Sequence, residues 1–314
     1  MPELAHSLER SPGTGADWHQ DLSIVVPSYN ARDLLRKTLQ VVEAVAPAAE
    51  VVVCDGSSAD GSAAMVRSEF PWVKVLEHPN HGFAYAINTG TEAASRRFIL
   101  WLNSDLFLTT ASLEAMHRRL CEEPRLGAVA PRLVNVDGSR QFLFAGMYWP
   151  LWAPIREHRE VAILCAACLM TRRDVVDQVG GMDENLFLFN EERDWCQVVR
   201  SHGFALELLG EPVVHVGGGS RRPGPMVSLE ERRGYLYVIE KHRWRSAPLI
   251  RLALTLQAVV LGWLDPRREW RQMWRKQREL LRGEVRRSLF PVSGRGLPAG
   301  SSTELPKLPP APQP

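Results

Sequence analysis

Apolar residues in the first third of the chain fall in short runs, each followed by a polar stretch. Leu22-Ser-Ile-Val-Val-Pro27, Glu50-Val-Val-Val-Cys54, Val73-Lys-Val-Leu76 and Phe98-Ile-Leu-Trp-Leu102 are rich in β-branched and other apolar residues, as strands buried on both faces are. Between them the period changes. Leu34, Leu35, Leu39, Val42 and Val45 recur at helical intervals within Ala31 to Val45, and Asp60 to Phe70, capped by Asp60, and Phe83 to Ser95 read as two more helices. Alternation at this spacing predicts an α/β domain with a mostly parallel sheet covered on both faces. Ligands bind such sheets outside the carboxyl ends of the strands. Those ends are Pro27-Ser-Tyr-Asn30, Asp55-Gly-Ser-Ser58, His78-Pro-Asn80 and Asn103-Ser-Asp105, all polar and expected on one edge.

The second half is less regular. Helices are predicted over Ser112–Glu122, Glu191–Ser201 and Leu229–Lys241, and strands over Gly127–Leu133, Cys165–Met170 and Pro212–Val216. An aromatic, turn-rich stretch runs from Phe142 to Pro154, and two helical segments cover about 246–264 and 266–288. The chain divides into a disordered leader (1–20), an α/β domain (21–243), a basic amphipathic helical segment (244–290) and a disordered tail (291–314) rich in Pro, Gly and Ser.

Composition narrows the partners. The 314 residues carry a formal charge of only +2, which gives no footprint for nucleic acid. Five scattered cysteines fit buried thiols in a reducing compartment, and Cys165-Ala-Ala-Cys168 lacks the second pair that a zinc knuckle needs. The N-terminus has no basic region followed by an apolar one, and no apolar run reaches spanning length, so the expected location is the cytoplasm.

Several residues carry candidate chemistry. The first strand is followed by neither Gly-x-Gly-x-x-Gly nor a Walker sequence, which argues against a dinucleotide-binding dehydrogenase. Asp55 could accept from a base N–H or a ribose hydroxyl; the alternative is turn chemistry, preferred for Asp60. Asp105, with Asn103 two residues before it, could hold a divalent cation that bridges diphosphate oxygens. His215 is followed by Gly217-Gly-Gly219, which would let backbone approach a ligand, and gains its value from partnership with Asp105. The other histidines read as surface residues. Glu191-Glu192-Arg-Asp194 opens a helix after the apolar run Asn185-Leu-Phe-Leu-Phe189; it supplies a general base or metal contact, or else a first turn complementing the helix dipole.

In this order the pieces resemble the inverting family 2 glycosyltransferases of GT-A fold, in particular a bacterial rhamnosyltransferase-like branch, over residues 21 to 243. The stretches that carry the resemblance are Ser23–Asn30, Val51–Ser62, Asn80–Gly90, Leu100–Asp105, Gly180–Glu184, Phe187–Cys196 and Val213–Ser220. The resemblance implies a nucleotide pocket from Pro27, Tyr29, Asn30, Asp55, Asn80, Gly82 and Asn88, with Trp195 also at the substrate. Asn103 and Asp105 stand at the family's Asp-x-Asp motif, so Asp105 and His215 become ligands of Mg2+ or Mn2+. Glu192 becomes the base on the acceptor hydroxyl, supported by Glu191 and Asp194. Two departures stand out: Gly56 where Asn is usual, and Glu192 where the family has Asp, a methylene that moves the base by about an ångström. The implied reaction is a single displacement from a nucleoside diphosphate sugar, with rhamnose the first expectation. The alternatives are a sugar-nucleotide nucleotidyltransferase, which would want a glycine-rich basic loop after the first strand, and a non-catalytic nucleotide-sugar binder.

The C-terminal segment adds a location. Leu249 to Leu264 is strongly apolar but short for a span. Arg267, Arg268, Arg271, Arg275, Lys276, Arg278, Arg282, Arg286 and Arg287 follow, interleaved with Trp263, Trp270 and Trp274. Basic residues with tryptophans predict a helix on an anionic membrane surface; a packed helical pair or a homo-oligomer interface is the other reading. A peripheral position on the inner face of the membrane suits a lipid-linked oligosaccharide acceptor, with Phe142, Phe144, Tyr148, Trp149 and Trp152 forming its cleft or ordinary core. Arg232 and Arg233 contact acceptor phosphate or, preferably, are surface charges.

Overall fold

The predicted strands form because each is apolar on both sides. In the computed structural model, which describes residues 18–141, 159–216, 224–283, 285 and 287–293, β1 (Leu22–Ser28), β2 (Glu50–Asp55), β3 (Lys74–Glu77) and β4 (Phe98–Leu102) are parallel in the order β3-β2-β1-β4. Leu22, Ile24, Val26, Val51, Val53, Phe98 and Leu100 point into one core, and Val25, Val52, Cys54, Ile99 and Trp101 into the other. This alternation is the pleat doing its work on both faces. Helices α1 (Arg32–Val45), α2 (Ser62–Glu69) and α4 (Thr110–Glu122) cover the first face; α3 (Phe83–Ala93) and α6 (Glu191–Ser201) cover the second. β3 is the edge strand, so its side chains are exposed or half-buried.

Asp60 does not cap α2 directly. Its Oδ1 accepts from the Ser62 N–H at 3.0 Å, while its Oδ2 accepts from the Arg32 N–H at 2.9 Å, so one carboxylate serves the first turns of two helices.

Beyond β4 the sheet becomes mixed. β8 (Cys168–Arg172) runs antiparallel to β4, then come β6 (Leu126–Val134), β9 (Ala205–His215) and the short β5 (Leu106–Phe107), with β7 (Arg159–Glu160) also on β9. β9 is longer than its apolar end predicts, pairing with β6 from Ala205 to Val214, and Glu207 inside it is neutralised by Arg119 at 2.8 Å. A short helix, α5 (Arg173–Val179), follows β8.

α7 (Pro225–Lys241), α8 (Ala247–Leu264) and α9 (Arg268–Arg282) build small cores of their own. Tyr235, Leu236 and Ile239 of α7 pack with Leu254 and Leu281, and Leu229 with Ala258, Met273 and Trp274. α7 therefore belongs by packing with the two helices after it. α9 ends at Arg282, earlier than expected, and the following residues return to the α/β domain. Trp18–Asp21, the first three of them placed in the leader by sequence, form a 3-10 turn, with Trp18 stacked on His117 at 4.1 Å.

Arg233 joins these parts and is no surface charge. It is 1% exposed; it donates to Glu230 at 2.7 and 3.0 Å, to the Asn185 carbonyl at 2.8 Å and to the Val285 carbonyl at 2.9 Å. Removing one partner strands the other charge in the interior. Arg233→Met should therefore cost about 3–5 kcal/mol, read as a lower urea midpoint with an unchanged slope.

Candidate functional site

The four parallel strands end on one edge, and each end holds a buried polar atom without a hydrogen-bond partner: Ser28 Oγ, Asp55 Oδ2, His78 Nε2 and Asn103 Oδ1. Ser28 pairs with Asp55 across β1 and β2, and Asp55 with Glu77 across β2 and β3, so neighbouring strand ends carry these atoms side by side. Orphaned buried groups are rare in folded proteins, and a row of them marks a place for a polar ligand. Asp55 is fully buried; its Oδ1 accepts from the Ser58 N–H at 2.8 Å, which leaves Oδ2 without a partner.

The rim of this edge is formed by the turn after β1. Tyr29 is exposed, and Asn30 has left-handed backbone (φ 50°) with its side chain accepting from the Ala59 N–H. Gly56 lies against Asn80 and the Tyr29 ring: a Cβ there would sit 3.5 Å from both. Pro27 is half-buried at the end of β1. Tyr29 and Asn80 thus come together at Gly56, beside the strand ends. Gly82 does something different. Its φ is 96°, and a Cβ would approach the Phe187 carbonyl oxygen to 2.2 Å, so this glycine lets α3 dock on the loop before α6.

Two expected substrate residues are structural. The Asn88 amide donates to the Met182 carbonyl (2.8 Å) and to Glu184 Oε1 (2.9 Å) and accepts from the Met182 N–H (2.8 Å). Both its hydrogens are used, fixing the 182–184 loop to α3. Trp195 is 1% exposed, lies edge-on to Trp101 and donates to the Gly180 carbonyl at 3.0 Å, so it belongs to the core and not to a substrate surface.

Asp105 and His215 meet because β5 pairs with β9: Leu106 lies opposite His215, so the preceding Asp105 reaches it, with Oδ1 3.3 Å from Nε2. From α1, Thr38 braces this turn by donating to the Ser104 carbonyl at 2.9 Å. The neighbour that sequence missed is Gln141. Its Nε2 donates to the Asn135 side-chain oxygen (2.8 Å) and to the His215 carbonyl (2.7 Å), which turns its Oε1 toward His215 Nδ1 at 2.7 Å. Nδ1 then donates to that oxygen, so in the neutral form of the ring the Nε2 lone pair faces Asp105. Two acceptors that face each other ask for a cation between them. A carboxylate, an imidazole nitrogen and the unpartnered Asn103 Oδ1 two residues away suit a divalent ion that completes its shell with phosphate oxygens and water. Among the described residues no group of three or more His, Cys, Asp and Glu side chains could hold a metal by itself.

Glu191 and Glu192 open α6 behind Phe189 and Asn190, two consecutive non-glycine residues in left-handed conformation (φ 69° and 71°). Such strain persists only where surroundings enforce it. Here Phe83 N–H donates to the Phe187 carbonyl (2.8 Å) and the Asn190 amide donates to the Glu231 carbonyl (3.0 Å). Glu191 is buried with Oε2 unpartnered, and burial together with the Glu192 charge pushes its carboxyl well above the usual range. Glu192 is half-buried, and burial raises it too, with Glu231 of α7 adding in the same direction. Asp194 turns away: it binds Lys241 and His242, each at 2.8 Å, and clamps α6 to α7. It is a positioning group and not a third acid of the site.

Cys165 is pushed up to about 12 by burial and then by the charges of Glu192, Glu191 and Asp105, all of which lie within electrostatic reach of it. The Asn103 N–H donates to the Ala167 carbonyl at 2.8 Å, fixing the Cys165–Ala167 turn beside the strand end. All five cysteines are free. The expected aromatic cleft (Phe142, Phe144, Tyr148, Trp149, Trp152) and Gly217–Gly219 lie outside the described residues.

The chain belongs to glycosyl transferase family 2, whose sequence pattern matches residues 23–180. It is 29% identical over 216 residues to a pre-mycofactocin glycosyltransferase of Mycobacterium tuberculosis, covering 65% of this chain and 43% of that protein, so it spans less than half of that relative's length. It is 24% identical over 302 residues to an N-acetylglucosaminyl-diphospho-decaprenol L-rhamnosyltransferase of the same organism, covering 83% of this chain and 98% of the relative. Among solved structures, a mannosyltransferase from Pyrobaculum calidifontis in complex with GDP-Man and Mn2+ shares the fold at a TM-score of 0.54 and 16% identity, over 82% of this chain and 84% of that one. The fold is thus the mixed α/β fold of GT-A glycosyltransferases.

The raised Glu191 carboxyl has a thermodynamic consequence. The folded protein holds this proton more tightly than the unfolded chain, so between the ordinary glutamate value, about 4.3, and the raised one, stability falls as pH rises. Glu191→Gln should raise the melting temperature near neutral pH, and the gain should vanish below about pH 4. A gain that persists in acid would contradict this.

Proposed function

We infer that the chain transfers a sugar from a nucleoside diphosphate donor to a hydroxyl of a glycan acceptor, with inversion at the anomeric carbon. The row of unpartnered buried polar atoms at the four strand ends carries this reading, because it offers a polar cradle on the edge where Asp105 meets His215. Asp55 would hold the nucleoside through its free oxygen, with Tyr29 and Asn80 at the rim. Of the acids, Glu192 suits the base. It is half-buried and so reachable, whereas Glu191 is enclosed and Asp194 is spent on Lys241 and His242. Its raised carboxyl brings the proton affinity nearer to the working pH, where a general base is most effective. Glu192 takes the acceptor proton as the hydroxyl attacks, and the bond to the diphosphate breaks in the same displacement. The anomeric carbon thus changes partners once, with no covalent intermediate.

Asp105 and His215, with Asn103 beside them, would hold Mg2+ or Mn2+. Such an ion, when bound, neutralises charge on the departing diphosphate. The relatives support the donor and acceptor classes: one structural neighbour is in complex with GDP-Man, and one relative is named for a decaprenol-linked substrate and rhamnose. On that basis we propose rhamnose as the sugar, a lipid-linked saccharide as the acceptor in cell-surface polysaccharide synthesis, and a peripheral position on the cytoplasmic face of the membrane.

Sugar release and transfer assays with a panel of nucleotide sugars test this. Glu192→Gln should lower the transfer rate by about 10²–10⁴-fold with nucleotide affinity unchanged. Equal binding and equal transfer in that variant would remove Glu192 from the role. Separately, Gln141→Leu should weaken Mn2+ binding to the nucleotide complex by about 10–100-fold, measured by electron paramagnetic resonance without any turnover. An unchanged affinity would show that His215 does not need its amide partner.

A further inference from the structure

The sequence places membrane contact on the basic helix and its tryptophans, and the structure redistributes those parts. Trp274 of α9 is buried; its N–H donates to Asp265 Oδ2 at 3.2 Å and Arg232 lies over its ring at 4.8 Å. Trp270 lies under Arg267 at 4.5 Å. Met273 and Gln277 are buried beside Trp274, so this stripe of α9 faces inward. The outward apolar surface is on α8.

Leu249, Leu252, Leu256, Val260, Trp263 and Leu264 all lie on one side of α8, and each is more than half exposed, Trp263 to 80%. Their spacing follows the helical period for about 22 Å. Every exposed position of this helix is apolar. The opposite side is committed: Leu254 and Ala258 are buried against α7 and α9, and Arg251 binds Glu240 at 2.7 Å. α8 is 18 residues long, and by length and composition it could cross a bilayer. Crossing would pull Leu254, Ala258 and Arg251 from these partners. Lying flat leaves them in place.

We propose that this face of α8 is the surface by which the protein lies on a lipid bilayer, inserting its outward side chains between acyl chains while α9 supplies charge for anionic headgroups. The choice of lipid over a second copy rests on charge and on the rim. α9 carries six basic and two acidic side chains, and Arg268, Arg275, Lys276 and Arg282 are exposed on this helix, which packs against α8. Pairing two copies would bring two net-positive helices together, whereas an anionic leaflet attracts them. Protein interfaces also carry a polar rim, and α8 offers none along its exposed side. An apolar face beside a basic one is the pattern of helices that lie in a membrane interface. This surface deepens the lipid-linked reading above and rests on it for its purpose, though not for its physical basis.

The test is flotation of the full chain with phosphatidylcholine vesicles, with and without phosphatidylglycerol, beside a Leu256→Glu, Val260→Glu double variant. Both positions are solvent-facing, and an unchanged far-ultraviolet circular dichroism spectrum checks that the variant is folded. The wild type should float with the anionic vesicles, and the variant should bind them at least about tenfold more weakly. High salt should weaken wild-type binding without abolishing it, since the apolar contribution is not screened. Equal flotation of variant and wild type would overturn the proposal. So would a wild type that ignores vesicles, whether it sediments as a monomer or as a dimer that the variant dissociates. Transfer to a water-soluble acceptor is measured in parallel. Its loss in both proteins with flotation intact would sink the enzymatic reading and leave the lipid surface standing.

Discussion

Phe187 is where the two halves of the site are locked together. Its backbone is approached so closely by Gly82 that no side chain fits between them, and its carbonyl accepts from the Phe83 N–H at 2.8 Å. On the other side its ring stacks on Phe290 at 4.6 Å. The helix that starts beside the strand-end edge and the loop that presents Glu191 and Glu192 are thus in backbone contact. Asn88 repeats the lock one turn further on, where a side chain at Gly181 would strike its amide at 2.4 Å. Conformational strain at Phe189 and Asn190 is sustained by this double grip, and the acid pair inherits its position from it.

Electrostatics follows from the same enclosure. Closing the loop buries Glu191 and partly buries Glu192, and burial lifts both carboxyls. Elsewhere the interior compensates its charges: Glu230 has Arg233, Asp194 has Lys241 and His242, and Glu207 has Arg119. The acid pair and the strand-end atoms stand apart from this pattern. Uncompensated polar groups cost stability, and proteins concentrate such violations where they bind or react.

The parallel half of the sheet was legible because burial on both faces writes itself as apolar runs, and Asp105, His215 and the acid pair were legible as polar interruptions of known order. What sequence could not give was contact across the chain. Asn88 and Trp195 looked like ligand residues by position, yet partners 94 and 15 residues away occupy their polar atoms. Gln141 is an unremarkable glutamine in sequence and becomes visible only through its bond to His215, 74 residues on. His78 read as a surface histidine, and its burial depends on packing beside Tyr85. The tryptophans of α9 looked interfacial by composition, whereas the turn at Asp265 decides which helix of the pair faces outward.

The residues after α9 hold the acid-pair loop from behind. Ser288 N–H donates to Asn185 Oδ1, its hydroxyl to Glu230 and the Leu289 N–H to Glu230, while Ser293 donates to Glu184. Ser288 lies 103 residues after Asn185, and Ser293 lies 109 after Glu184. A ribosome adding about 5–20 residues per second needs roughly 5–20 s to cover that gap. When that interval begins the nascent chain already contains the four parallel strands and Asp105, and the acids follow within a few residues, but the segment that seats their loop comes last. Vectorial synthesis therefore completes the polar strand edge before the segment that seats the Glu191–Glu192 loop.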